Sequence, residues 1–127
     1  MRVKELHPRL PVTVTKSESL AAAAALLIEE DIGALVVFEP QGIAGILSER
    51  DIMRAVADGC DLDATEVCEY MTAAPIVTEE EAAIGDAISK MNGSGIRHVV
   101  VVSDGDVSGV ISMRDVVGLL GTDWPEL

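Results

Sequence analysis

The chain repeats itself. Sliding the 127-residue sequence against itself by 64 positions aligns residues 3–56 with residues 67–120 without a gap. Eleven positions are identical: Val3/Val67, Glu5/Glu69, Pro11/Pro75, Ala23/Ala87, Ile32/Ile96, Val36/Val100, Val37/Val101, Gly45/Gly109, Ser48/Ser112, Arg50/Arg114 and Asp51/Asp115. Most other positions keep their apolar or polar character, as at Leu20/Ile84, Leu27/Met91, Ile43/Val107 and Leu47/Ile111. Such a register over more than fifty ungapped positions is an internal duplication, and it limits the fold to two like supersecondary units. The densest match pairs Gly45-Ile46-Leu47-Ser48-Glu49-Arg50-Asp51 with Gly109-Val110-Ile111-Ser112-Met113-Arg114-Asp115. Each copy reads as a buried strand that delivers a hydroxyl and a carboxylate to a helix N-terminus.

Within the first copy, Pro11-Val12-Thr13-Val14 predicts a short strand, and Ser17 or Ser19 caps a helix. That helix carries Leu20, Ala23, Ala24, Leu27 and Ile28 at helical spacing. Gly33 is its expected stop. Ala34 to Phe38 is a continuous apolar, β-branched run and reads as a strand; Glu39-Pro40-Gln41-Gly42 turns the chain, and Ile43 to Leu47 returns it. Ser48 opens a second helix through about Ala57. Residues 58–66 are a polar, acidic connector with room for one helical turn. The second copy repeats the order: strand Ile76-Val77-Thr78, a helix with Ile84, Ala87, Ile88 and Met91, and a stop at Asn92-Gly93-Ser94-Gly95. Then come strand 97–102, turn Ser103-Asp104-Gly105, strand 107–111 and helix 112–120. The organisation is thus repeat 1 over 3–57, linker 58–66, repeat 2 over 67–120 and a tail over 121–127, with β-α-β-β-α in each repeat. A repeat of this size has little core of its own, and two packed sheet to sheet would hide their apolar faces.

Composition narrows the function. Apolar residues make up 49% of the chain, yet Phe38, Tyr70 and Trp124 are its only aromatics, so Val, Ile, Leu and Ala must build the core. No apolar run approaches the roughly 18 residues that span a bilayer, and the N-terminus has no signal-peptide pattern. A soluble cytoplasmic protein is expected. Twenty-two acidic against nine basic residues give a formal charge of −13, which argues against a nucleic-acid partner. Cys60 and Cys68 read as ordinary reduced thiols. His7 and His98 have no obvious Ser or Cys nucleophile beside them, and neither metal-ligand spacing nor a phosphate-cradling Gly loop occurs, so no catalytic or metal site is expected.

Ser48 with Asp51, and Ser112 with Asp115, also spell capping boxes, whose side chains satisfy the free N–H groups of a helix start. Spacing alone leaves a capping role and a binding role open. Arg97 and His98 break the symmetry, because the 64-shift pairs them with Gly33 and Ala34. A plain reading makes Arg97 a surface strand residue paired with an acid and His98 a half-buried spacer. Arg50 and Arg114 read as packing or ion-pair residues.

Two β-α-β-β-α copies, each closing on Gly-x-x-Ser-x-x-Asp, resemble the cystathionine-β-synthase (CBS) domain pair. Ile32-Gly33-Ala34-Leu35-Val36-Val37, Ser48-Glu49-Arg50-Asp51-Ile52, Tyr70-Met71-Thr72 and Gly95-Ile96-Arg97-His98-Val99-Val100-Val101 fit that family in register. The resemblance covers residues 3–120 and is to stand-alone prokaryotic members. It implies an α/β (α+β) fold of two repeats related by a pseudo-two-fold axis, and a homodimer of disc-like shape. It also implies a regulatory sensor that binds an adenosine-containing ligand between the copies: AMP first, with ADP, ATP, NAD(H) or S-adenosylmethionine as other candidates. An unidentified regulated protein would read the bound state. By the same resemblance Asp51 and Asp115 take ribose hydroxyls, Ser48 and Ser112 lie near ribose or phosphate, and Arg97 and His98 contact phosphate, most fully with Asp51. A guanidinium about 4 Å from a phosphate oxygen gains roughly 4 kcal/mol gross at an effective dielectric near 20. Carboxylates beyond about 8 Å are largely screened, so local placement outweighs the net charge. An adenine slot would be walled by Val12, Thr13, Val14 and Ile46 in one copy and by Ile76, Val77, Thr78 and Val110 in the other. Lys16 is a further phosphate candidate, or a solvated side chain. Trp124 either folds back on the core or sits in an interface. The alternative function is a nucleotide-free dimerisation scaffold in which Ser and Asp serve only as caps.

Overall fold

The computed structural model describes residues 1–121; Trp124 and the rest of the tail lie outside the described residues. The fold is α+β and contains two repeats of one strand-helix-strand-strand-helix pattern. It forms two compact units, which are not the two sequence copies. One comprises Val12–Pro75, the other Met1–Pro11 together with the chain from Ile76 onward. The leading segment of each copy therefore belongs to the unit built on the other copy's body. The crossings fall at Pro11 and Pro75, two of the eleven identities.

In the Val12–Pro75 unit, β1 (Thr13–Thr15) runs parallel to β2 (Ala34–Glu39), and β2 pairs antiparallel with β3 (Gly42–Ser48). The short β4 (Thr72–Ala73) closes the sheet in the order β1-β2-β3-β4. Helix α1 (Leu20–Glu30) connects β1 to β2, and α2 (Glu49–Ala57) follows β3. The other unit carries β5 (Val77–Glu79), α3 (Ile84–Ser94), β6 (His98–Ser103), β7 (Asp106–Ser112) and α4 (Met113–Gly121), with sheet order β5-β6-β7. Asp104 and Gly105, both at positive φ, make the two-residue turn between β6 and β7 that matches the twist of paired strands.

The two cores correspond position by position. Leu20, Ala23 and Leu27 of α1 pack with Leu35, Val37, Leu47 and Val67; Ile84, Ala87 and Met91 of α3 pack with Val99, Val101, Ile111 and Val3. The i, i+3, i+7 spacing on each helix and the i, i+2 spacing on each strand put those side chains on one face. Val3 and Val67 are the exchanged members, each fully buried in the unit of the other copy. The backbone fixes them identically. Val3 N–H donates to Ala82 (2.8 Å) and Lys4 N–H to Glu80 (3.0 Å), as Val67 donates to Glu18 (2.8 Å) and Cys68 to Lys16 (3.0 Å).

Local expectations fail in a few places. Helix α1 ends before Gly33: Asp31 adopts the left-handed conformation (φ 53°), and its N–H reaches the carbonyls of Ile28 and Leu27. Asn92, Gly93 and Ser94 do not stop α3 but form its last turn, and Gly95 (φ 64°) terminates it. Sealing Met91 in the core outweighs the low helix propensity of that triplet. The connector does carry a single helical turn: Ala64 N–H and Thr65 N–H donate to Asp61 O at 3.1 and 2.9 Å, and Thr65 Oγ1–H donates to the same oxygen at 2.8 Å.

Candidate functional site

Ser48 ends β3 in extended conformation (φ −102°, ψ 163°) and caps α2. Its Oγ accepts from Asp51 N–H at 3.4 Å. Asp51 Oδ2 accepts from Ser48 N–H (2.8 Å) and from Ser48 Oγ–H (3.1 Å). The same box opens α4: Asp115 N–H donates to Ser112 Oγ at 3.2 Å, and Ser112 N–H to Asp115 Oδ2 at 2.8 Å. Both Ser-x-x-Asp motifs are therefore formed caps. Their surroundings differ. Asp51 is only 4% exposed, whereas Asp115 is an exposed residue. The second oxygen of Asp51 lies 3.4 Å from Arg54 Nη1, and Asp115 has no ion pair among the described residues. Arg54, not Arg50, supplies the cation; Arg50 and Arg114 are exposed, and no ion pair among the described residues involves either.

The symmetry-breaking pair sits beside the second box. Arg97 O accepts from Met113 N–H at 2.8 Å, and His98 is in register with Ser112. Arg97, His98, Ser112 and Asp115 thus share one end of the β6–β7 pair. In the other unit Gly33 and Ala34 take those places next to Ser48 and Asp51: Glu49 N–H donates to Gly33 O, and Ala34 is in register with Ser48. Arg97 is exposed and has no acidic partner among the described residues; His98 is half-buried. Lys16 is an exposed, solvated side chain, as one reading expected, and its Nζ pairs with Glu39 Oε2 at 3.1 Å.

The adenine-slot residues divide by face. Val12 and Val14 pack against the core of their unit while Thr13 points outward and is exposed; Ile76 packs on its own core and Val77 is exposed. Ile46 and Val110 are half-buried, and each is crossed by an exchanged leader: Ile46 is in register with Thr72, and Val110 N–H donates to Arg9 O at 3.3 Å. Thr78 is 1% exposed, and its Oγ1 has no hydrogen-bond partner among the described residues. A buried hydroxyl left unpaired costs free energy that a water or a ligand atom would recover.

The repeated glycines are explained by the same crossings. A Cβ on Gly45 would lie 2.5 Å from Thr72 O, and one on Gly109 would lie 2.6 Å from Arg9 O. Two titratable groups depart from their ordinary range. Hydrogen bonds with Cys60 (2.9 Å) and Asp58 (2.7 Å) hold the proton of Tyr70 and push its ionisation upward. Hydrogen bonds from Lys4 and Arg2 hold Glu81 below the usual carboxylate range. Neither the Arg54 contact nor the Tyr70 cluster was picked out from the sequence. The i, i+3 spacing of Asp51 and Arg54 was the available signal for the first; nothing in sequence spacing marks the second. Among the described residues, no group of three or more His, Cys, Asp and Glu side chains could hold a metal ion, and no helix is long and apolar enough to cross a membrane.

Comparison with known proteins places these features in a family. An uncharacterised 17.7 kDa protein of Acidianus ambivalens is 32% identical over 121 residues, which is 94% of this chain and 73% of the relative. Three further curated relatives are longer, and the chain spans between 44% and 60% of their length. Among solved structures, the CBS domain protein PAE2072 from Pyrobaculum aerophilum complexed with AMP is 34% identical with a TM-score of 0.82, over 91% of this chain and 89% of that one. The CBS domain pair of protein MJ0100, in complex with 5′-methylthioadenosine and S-adenosyl-L-methionine, is 28% identical with a TM-score of 0.85, over 97% and 98%. The CBS domain pattern itself matches residues 3–58 and 67–122, so this chain belongs to the CBS domain family and carries the domain twice.

Proposed function

We propose that this protein is a non-catalytic regulatory module that binds an adenosine-containing ligand. AMP is the first candidate, with ADP, ATP, NAD(H) and S-adenosylmethionine behind it. Asp51 and Asp115 take the ribose hydroxyls, Ser48 and Ser112 lie near ribose or phosphate, and Arg97 with His98 takes the phosphate. The slot residues Val12, Thr13, Val14, Ile46, Ile76, Val77, Thr78 and Val110 supply the adenine contacts. The observation that carries this reading is the half-used carboxylate. Capping occupies only one oxygen of Asp115, and the other has no partner among the described residues, so an exposed acceptor stands at a helix N-terminus where anions are favoured. The bound AMP of the Pyrobaculum relative supports the ligand class.

Occupancy is passed on by linkage: a ligand that prefers one arrangement of the module shifts it toward that arrangement, in a homodimer read by a cytoplasmic protein partner. Exposed Met53 and Val56 on α2 and Val117 on α4 support the dimer, since Met53 and Val117 are equivalent under the 64-shift. The test is a thermal-shift panel of AMP, ADP, ATP, NAD, NADH and S-adenosylmethionine, followed by titration calorimetry on Asp51→Asn and Asp115→Asn. A ligand at a hundredfold excess over Kd stabilises by about 2.7 kcal/mol. Arg97→Ala should weaken AMP more than adenosine, because only AMP carries the phosphate that the guanidinium would contact. No shift with any ligand would refute the reading. It would favour the second one, a nucleotide-free dimerisation scaffold, for which the fully formed caps at Ser48 and Ser112 speak.

A further inference from the structure

The two helix-opening carboxylates are alike in sequence but unequal in partners. Asp51 Oδ2 is committed to the Ser48 cap, and Oδ1 faces Arg54 Nη1 at 3.4 Å. The Arg54 side chain is 57% exposed and makes no other ion pair among the described residues. Asp115 makes the same Oδ2 bond to its cap, but the position equivalent to Arg54 is Gly118, which offers no cation.

A ribose diol donates two O–H groups, and bidentate capture by one carboxylate uses both oxygens. At Asp115 the second oxygen is free to accept. At Asp51 the guanidinium already sits against it. We propose that Arg54 is an affinity-setting residue: its side chain competes with ribose hydroxyls for Asp51 Oδ1, so an adenosine-type ligand fills the Asp115 site before the Asp51 site. This rests on the reading that these carboxylates bind ribose. Because Arg54 is largely in water, the competition is modest, a factor of about two to five in affinity. Arg54 thereby spaces the two binding events along the ligand concentration axis and widens the range over which the module responds.

The probe is adenosine, which has no phosphate to attract a displaced guanidinium. In protein carrying Asp115→Asn, where Asp51 alone reports, adding Arg54→Gln should tighten adenosine by about two- to fivefold, while Arg54→Lys should tighten it less. In the reciprocal background, Asp51→Asn, adding Gly118→Arg should weaken adenosine at Asp115 by a similar factor; position 118 is exposed and a Cβ there meets nothing within 4 Å. Circular dichroism melts check that each variant is folded. Unchanged or weaker binding on Arg54→Gln, with adenosine still bound by the Asp115→Asn parent, overturns the proposal and leaves the adenosine reading intact. Tighter binding on Gly118→Arg does the same. Failure of the wild-type protein to bind adenosine or AMP overturns both.

Discussion

Asp51→Ala and Asp115→Ala remove the same hydrogen bond from the same motif, yet they should differ in stability. Asp51 accepts from Ser48 N–H at 2.8 Å and from Ser48 Oγ–H at 3.1 Å at a site that is 4% exposed. Truncation there leaves the amide without a partner where water is largely excluded, a penalty of about 1–3 kcal/mol. Losing a carboxylate from the first turn of α2 adds about 0.5 kcal/mol. Releasing a buried charge returns part of this, so a net loss of about 2 kcal/mol is expected. For a domain of this length about 1 kcal/mol moves Tm by roughly 3–5 °C, which puts Asp51→Ala about 6–10 °C below wild type. At exposed Asp115 water replaces the lost acceptor, and the loss should be about 0.5–1 kcal/mol. Thermal and urea melts followed by circular dichroism at neutral pH measure both. Equal losses in the two variants would refute the argument that burial sets the cost. The same reasoning makes Asn, which keeps an acceptor toward Ser48, the better replacement for separating binding from folding.

Other perturbations follow from the broken symmetry. Ala83 opens α3 without a side-chain cap, at φ −66° and ψ 144°, close to the φ −72° and ψ 151° of the capping Ser19. Ala83→Ser should therefore stabilise the protein by about 0.5–1 kcal/mol, read as a raised urea midpoint with unchanged slope. Gly109→Ala should cost about 2–3 kcal/mol, because its Cβ would overlap Arg9 O and Pro8; a melt within 1 °C of wild type would contradict the packing. Glu81 is held below the ordinary carboxylate range, so the stability it contributes is present above the unfolded value of about 4.3 and is lost as pH falls through the folded one. Amide exchange at Val3 and Lys4 should accelerate, relative to the intrinsic rate, as pH falls below about 4.3, and Glu81→Gln should abolish that dependence.

The duplication, the element order and the core faces were legible because burial imposes periodicity, and periodicity survives in a single sequence. Leu20, Leu27, Leu35 and Leu47 announce their inward faces just as Ile84, Met91, Val99 and Ile111 do. Helix ends were less legible, since Asp31 accepts a left-handed conformation that Gly33 was expected to provide. Ownership of the leaders was not legible at all, for a reason of symmetry. Every hydrogen bond from Val3 or Val67 to a helix-preceding loop can be drawn to either copy without changing the sequence pattern. Only the three-dimensional path shows that Val3 N–H donates to Ala82 and not to Glu18. At the site, the two caps followed from spacing, but the contrast between buried Asp51 and exposed Asp115 did not, because the Ser-x-Arg-Asp motif is the same in both copies and burial depends on how each is packed in three dimensions.

The crossing of the leaders has a consequence for what can be cut away. A chain trimmed to residues 3–57 would keep Val3 but lose Val67, the side chain that fills its own body, and the same holds in reverse for residues 67–121. Neither piece is self-sufficient, although each contains one complete copy of the repeat. Two such halves in solution would need to lend each other their first eleven or so residues. Joining both copies in one polypeptide makes that loan intramolecular, so its strength no longer depends on protein concentration.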